Sequence, residues 1–135
     1  MIDNLHTLNQ YVSKYFDELQ NDTILTIANI RNRALELPGL KVKWLKYYHI
    51  EDRRKKAIET KIEEIEKKYI LANGEKGKPK LLLANEAKSL EQIKTLSQAL
   101  DIQKDVIRAL DGANEIMRTF SYDISNAKEL LKLEQ

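Results

Sequence analysis

Apolar residues return every three or four positions through the last third of this chain, and they do so on two neighbouring faces of one helix. One seam runs through Ile93, Leu96, Leu100, Ile107, Leu110, Met117, Ile124 and Leu131. A second runs through Ala99, Ile102, Val106, Ala109, Ala113, Ile116, Phe120, Ala127 and Leu130, set back by one residue, which is about 100° of rotation on a helix. A helix with two such seams can hold one neighbour with each, and identical helices arranged this way close into a ring or a wide bundle. The pattern predicts a helix roughly 70 Å long, more than the rest of a compact monomer of this size would cover. The alternative is one broad apolar face lying in the core of a monomeric bundle. Gln103, Asn114, Ser121 and Lys128 interrupt the first seam. Polar groups are costly in a dry seam but tolerable beside a wet channel or at a rim, so these positions point to a wide assembly. The helix is expected to continue through Gly112 at a cost of about 1 kcal/mol.

Upstream, turn residues divide the chain into shorter pieces. Leu5, Leu8, Val12, Tyr15, Phe16 and Leu19 predict an amphipathic helix from about residue 3 to 20, ended by Asn21-Asp22-Thr23, with Asp22 or Thr23 available to cap the next start. Ile24, Ile27, Ile30, Ala34 and Leu37 predict a second helix, stopped by Pro38-Gly39. A third is expected from about Lys41 to Ala72, ending at Asn73-Gly74, which offers a left-handed residue for the stop. A polar loop follows to Lys80, and Leu81 to Leu83 lead into the last helix, with Asn85 or Ser89 as candidate caps. The expected architecture is all-α: an N-terminal helical region, residues 1–80, and a long C-terminal helix, residues 81–135, that assembles into a ring-like helical barrel or bundle.

Charge is unevenly distributed. Residues 1–40 carry 3 basic and 5 acidic side chains, residues 41–80 carry 13 and 7, and residues 81–135 carry 7 and 9, so the middle third holds a local excess of +6. There, Trp44, Tyr48, Ile58, Ile62, Ile65 and Tyr69 make an apolar stripe. Beside it Lys46, Tyr47, Arg53, Arg54, Thr60, Lys61, Lys67 and Lys68 recur as adjacent pairs every seven residues, and six of these eight are cations. Cations along roughly 33 Å of one face suit a phosphate backbone. Lys76 and Lys78 in the loop extend the set. Trp44 and Tyr47 at one end and Tyr69 at the other offer faces for stacking unpaired bases. The competing explanation is a solvated helix whose cations pair with Asp52, Glu59, Glu63, Glu64 and Glu66.

Nothing in the chain points to catalysis or to a cofactor. His6 and His49 lack companions at metal-ligand spacing, and there is no cysteine to make a disulfide or thiolate site. The Gly74 to Gly77 spacing lacks the following Lys-Ser/Thr of a phosphate loop. With 42% apolar and 33% charged residues and no apolar run of membrane-spanning length, the chain is expected to be soluble and intracellular.

Lys43-Trp44-Leu45-Lys46, then Ile65-Glu66-Lys67-Lys68, then Asn73-Gly74-Glu75-Lys76-Gly77 resemble the central segment of the UvsY-like recombination mediators of T-even-type phages. Ala109-Leu110-Asp111-Gly112-Ala113, continuing to Phe120 and Glu134, resembles that family's last helix. Where the family carries a Leu-Lys-Ala-Arg-type motif this chain has Glu66 before its two lysines, so only Lys67 and Lys68 carry over as DNA-contacting cations. The resemblance implies a homo-oligomer, a hexamer or heptamer held by the C-terminal helices, in the cytoplasm of an infected bacterial host. It also implies binding of single-stranded DNA and loading of a RecA-like (UvsX-type) recombinase onto strands covered by a single-stranded-DNA-binding coat protein. On these grounds Lys46, Arg53, Arg54, Lys61, Lys67, Lys68, Lys76 and Lys78 are the expected DNA contacts. Ile93, Leu96, Leu100, Val106, Ile107, Leu110, Ile116, Met117, Phe120 and Ile124 are the expected oligomer contacts. The alternative is a scaffolding coiled coil that does not bind nucleic acid.

Overall fold

The structure is a computed structural model that describes residues 5–74 and 77–134, with side chains from Gln10 onward except those of Tyr11 and Glu134. Lys76 therefore lies outside the described residues, as do the side chains of Leu5, His6 and Leu8. Four helices make up the fold: α1 (Leu5–Thr23), α2 (Ile30–Asn73), α3 (Lys80–Lys88) and α4 (Glu91–Glu134). No strand occurs among the described residues, and none of the helices is long and apolar enough to cross a membrane.

The expected stop at Pro38-Gly39 does not occur. Both residues sit inside α2, on its exposed side. Proline removes one backbone donor and strains the preceding turn at a cost of about 3 kcal/mol. Here Pro38 itself stays exposed, while Ala34, Leu37, Leu40 and Trp44 on the other side pack against the core. Tertiary burial outweighs the local penalty. The helix begins earlier, at a turn where the Thr26 amide donates to Asn29 Oδ1 (2.7 Å) and the Asn29 amide donates to Thr26 Oγ1 (3.2 Å), a reciprocal cap. Asp22 and Thr23 do not cap this start: Thr23 Oγ1 donates to Leu19 O, and Asp22 is buried against α2. Ile24 and Ile27 precede the helix and stay exposed.

At the far end of α2, Gly74 keeps a right-handed backbone, and the left-handed residue is Gly77, at φ 73°. The last helix is also divided. Leu81 to Leu83 belong to α3, and the chain breaks at Ser89-Leu90, where Ser89 Oγ donates back to Glu86 O (2.6 Å) and so closes α3.

An α2 of 44 residues matches an α4 of 44 residues, each about 66 Å long. The two run antiparallel: Asn114 Nδ2 donates to Trp44 O, and Gln103 Nε2 donates to Glu51 O. Thus α4 packs against a helix of its own chain that is as long as itself, although a helix of that length was expected to exceed what the rest of a compact monomer covers. The buried line on α4 is Gln103, Val106, Leu110, Ala113, Met117, Phe120 and Ile124, taken alternately from the two seams. Leu19, Ile30 and Trp44 close the same core from α1 and α2. A smaller buried group, Leu83, Ala87 and Ile93, lies where α3 meets the start of α4. The boundary drawn between residues 80 and 81 falls in the first turn of α3, and both sides of it contribute to one packed body.

Most of the expected oligomer contacts take part in packing within the protomer. Ile93, Val106, Leu110, Met117, Phe120 and Ile124 are buried inside the protomer, and Leu96, Leu100 and Ile107 are half-buried. Only Ile116, 46% exposed, remains an outward apolar position of that set. Of the polar interruptions, Gln103 and Asn114 donate to the backbone of α2.

Candidate nucleic-acid interface

The basic row owes its position to the apolar seam beside it. Trp44, Glu51, Ile58 and Ile65 recur every seven residues on the inward side of α2, the first two fully buried and the others half-buried. Lys46, Arg53, Thr60 and Lys67 each follow one of them by two residues, about 200° round the helix, which turns them to solvent. Tyr47, Arg54, Lys61 and Lys68 follow by three, about 300°, which brings them back along one flank of the seam. Because α2 is a single helix, both lines stay aligned and drift by only about 20° per heptad.

Lys46, Arg53, Lys61, Lys67 and Lys68 are exposed, and none holds an ion pair among the described residues. Of the carboxylates expected to neutralise them, two are paired with other lysines. Asp52 pairs with Lys56 (3.1 Å) and Lys55 (3.8 Å), and Glu59 with Lys55 (3.9 Å). The hydrogen bond from Lys56 holds the Asp52 carboxyl below its usual range. Glu63, Glu64 and Glu66 form no ion pair among the described residues. Two members of the row differ. Arg54 Nη1 donates to the buried Glu51 carboxylate (2.7 Å) while its side chain remains 56% exposed, and Lys78 pairs with Glu86 (3.0 Å).

The aromatics expected to stack on bases each hold a hydrogen-bond partner within the protomer. Trp44 is wholly buried: its indole N–H donates to Asp22 Oδ2 (2.9 Å), and its ring meets Tyr47 edge-on at 5.2 Å between centroids. A large ring with one donor is buried at low cost once that donor is satisfied, which is why the core takes it. Tyr47 is half-buried beneath α1 and donates to Glu18 Oε1 (3.0 Å); burial, then that bond, raises its hydroxyl above the usual tyrosine range. Tyr69 donates to Glu86 Oε2 (2.9 Å), and this bond raises its hydroxyl likewise. Lys43, absent from the expected set, lies across the Trp44 ring (5.5 Å) and is held by Asp22 (2.5 Å) and Glu18 (3.3 Å).

The buried carboxylate Glu51 was not foreseen as a structural centre. Its Oε1 accepts from Tyr15 (3.0 Å) and Arg54, and its Oε2 accepts from Gln103 (2.7 Å), so α1, α2 and α4 meet at one group. A buried charge requires such company. The signal was present: Glu51 stands seven residues after Trp44 and seven before Ile58, in the apolar register of α2. Beside this centre a groove of 380 Å³ opens between α2 and α4, lined by Arg54, Ala57, Ile58, Lys61, Leu96, Ala99 and Gln103.

No protein-family model matches the chain, and neither the curated proteins nor the solved structures include a match to it.

Proposed function

We propose that this protein is a single-stranded-DNA-binding recombination mediator that works as a homo-oligomer and helps load a RecA-like recombinase onto coated single strands. One observation carries the proposal. Five exposed cations, Lys46, Arg53, Lys61, Lys67 and Lys68, stand along one side of an unbroken helix without an ion pair among the described residues, while their off-row neighbours Lys55 and Lys56 are paired. Exposed cations left unneutralised along roughly 33 Å suit the regularly spaced charges of a phosphodiester chain. The resemblance of Lys43 to Lys46, Lys67-Lys68 and the last helix to UvsY-like mediators supports the same reading and supplies its partners: the recombinase, the coat protein and the cytoplasm of an infected bacterium. In this mechanism no bond is made or broken. The row holds the strand across several subunits, where modest contacts sum to strong avidity, weakens the coat protein's grip and favours recombinase nucleation.

Assembly into a hexamer or heptamer is part of the proposal, but the surface that supports it is not the inner line of α4. Leu35, Val42 and Leu45 on α2 are each at least half exposed and, with Pro38 between them, follow the three-four spacing of a helix-packing stripe. Clustered exposed apolar residues mark association surfaces. Val42→Asp is expected to lower the native mass without unfolding the protomer; an unchanged oligomer would place the contacts elsewhere.

The test of DNA binding is fluorescence anisotropy of a labelled oligodeoxynucleotide against salt. Lys67→Ala with Lys68→Ala should weaken binding and flatten the logarithmic salt slope by roughly 0.7 for each phosphate that is no longer neutralised. Lys88→Ala with Lys94→Ala, exposed sites on α3 and α4 outside the row, removes the same charge and should have little effect. Equal losses in the two double variants would reduce the row to a share of net charge. No binding by the native protein would leave the scaffolding coiled coil as the function.

A further inference from the structure

The groove between α2 and α4 combines three features that suit one ligand. Its floor is apolar, from Ile58, Leu96 and Ala99. Its rim carries Arg54 and Lys61, seven residues apart on α2 and so about 10.5 Å apart along the axis. At one end stands Gln103, whose amide orientation is dictated by its partners. Its nitrogen faces two acceptors, Glu51 O (2.8 Å) and Glu51 Oε2 (2.7 Å), so this end must be the NH₂ group. Among the described residues no hydrogen bond reaches the carbonyl Oε1, and no side-chain polar atom is both buried and unsatisfied. Since Gln103 lines the groove, its free acceptor opens there.

We infer that this groove is a base-insertion subsite. A nucleobase of a bound single strand leaves water to lie on the Ile58, Leu96 and Ala99 surface, donates an N–H to Gln103 Oε1, and sets its flanking phosphates against Arg54 and Lys61. The inference rests on the basic row being a nucleic-acid interface, and names where that interface meets bases now that Trp44 is known to be buried. A base is flat, uncharged and carries a Watson–Crick-edge donor whichever of the four it is, so the subsite tolerates any sequence. The volume exceeds the roughly 300 Å³ at which small-ligand sites begin. Arg54 and Lys61 lie in line with Lys68 on the same flank, which matches a continuing chain of phosphates rather than a single carboxylate. A paired base cannot enter, so the subsite also separates single strands from duplex.

The experiment compares an oligodeoxycytidylate with an abasic strand of equal length, both binding the full chain. The native protein should hold the base-bearing strand roughly tenfold more tightly or better. Ala57→Leu, at an exposed helical position on the groove, should bring this ratio close to one while leaving the salt slope unchanged. Ala99→Leu should do the same from the α4 side, and since Ala99 is half-buried its melting curve must first match the native one. Equal affinity for the two strands overturns the subsite, as does a ratio that survives Ala57→Leu. A change in native mass on filling the groove, with the ratio intact, would identify another protein segment as its occupant and also overturn it. If both strands bind alike and Lys67→Ala with Lys68→Ala still weakens them, only the subsite falls. If neither strand binds, the interface falls with it.

Discussion

Leu110→Ala asks whether the inner line of α4 belongs to the protomer or to contacts between subunits. Leu110 is 1% exposed and packs in the cluster with Trp44, Val106 and Met117. Truncating a leucine in a closed core costs about 2–5 kcal/mol, and about 3 kcal/mol is expected here. For 135 residues, an unfolding entropy of about 2.1 cal/mol/K per residue gives about 0.28 kcal/mol/K, so Tm should fall by about 10 °C. Ile116→Ala, at a position 46% exposed, removes much less buried area and should cost about 1 kcal/mol, or about 3–4 °C. Thermal melts followed by far-ultraviolet circular dichroism, at two protein concentrations, separate the possibilities. In a protomer core the Leu110→Ala deficit is the same at both concentrations and about three times that of Ile116→Ala. A deficit that shrinks as concentration rises, or one no larger than that of Ile116→Ala, would refute the placement of α4 against its own α2 and return Leu110 to an intersubunit seam.

Pro38→Ala should stabilise the protein by about 1–3 kcal/mol in urea unfolding, because it restores a backbone donor within a continuous helix; no gain would mean that α2 does break there. Gly112→Ala should add about 0.5–1 kcal/mol, since a Cβ at that position meets nothing within 4 Å. Gln103→Leu deprives the buried Glu51 of a donor and should cost about 3 kcal/mol, whereas Gln98→Leu, an exposed change on the same helix, should be nearly neutral. Alkali should loosen α1. For Lys43 burial favours the neutral amine, but the bonds and charges of Asp22 and Glu18 outweigh it and the pKa is raised; for Tyr47 burial leads and Glu18 adds to it. Both groups bind their protons more tightly when folded, so their stabilisation is full below the unfolded values and is lost as pH rises through the folded ones. Urea midpoints should therefore fall as pH rises above about 10, and fall less in Glu18→Gln; a flat profile would remove these bonds from the account of how α1 is held.

Helical class, the continuity of the last helix through Gly112 and the existence of a basic line on the middle helix follow from local properties. Period, propensity and charge spacing are carried by neighbouring residues, so Lys46, Arg53 and Lys67 reach solvent wherever the apolar register of Trp44, Ile58 and Ile65 turns inward. The same register located Glu51 without revealing its role, because a carboxylate inside an apolar seam becomes intelligible only when Tyr15, Arg54 and Gln103 converge on it from three helices. Pro38 shows the limit most clearly. Its local cost is legible in the chain, but whether a helix bears that cost depends on what the rest of its length buries, and α2 buries its inner face against α1 and α4. Once α2 is continuous, α4 has a full-length partner, the two seams merge into one inner line, and Trp44 is enclosed rather than offered to a base. Pairing between residues 44 and 114, or 51 and 103, is a long-range choice that local periodicity does not encode, because several faces of an amphipathic helix satisfy the same pattern and only packing selects among them.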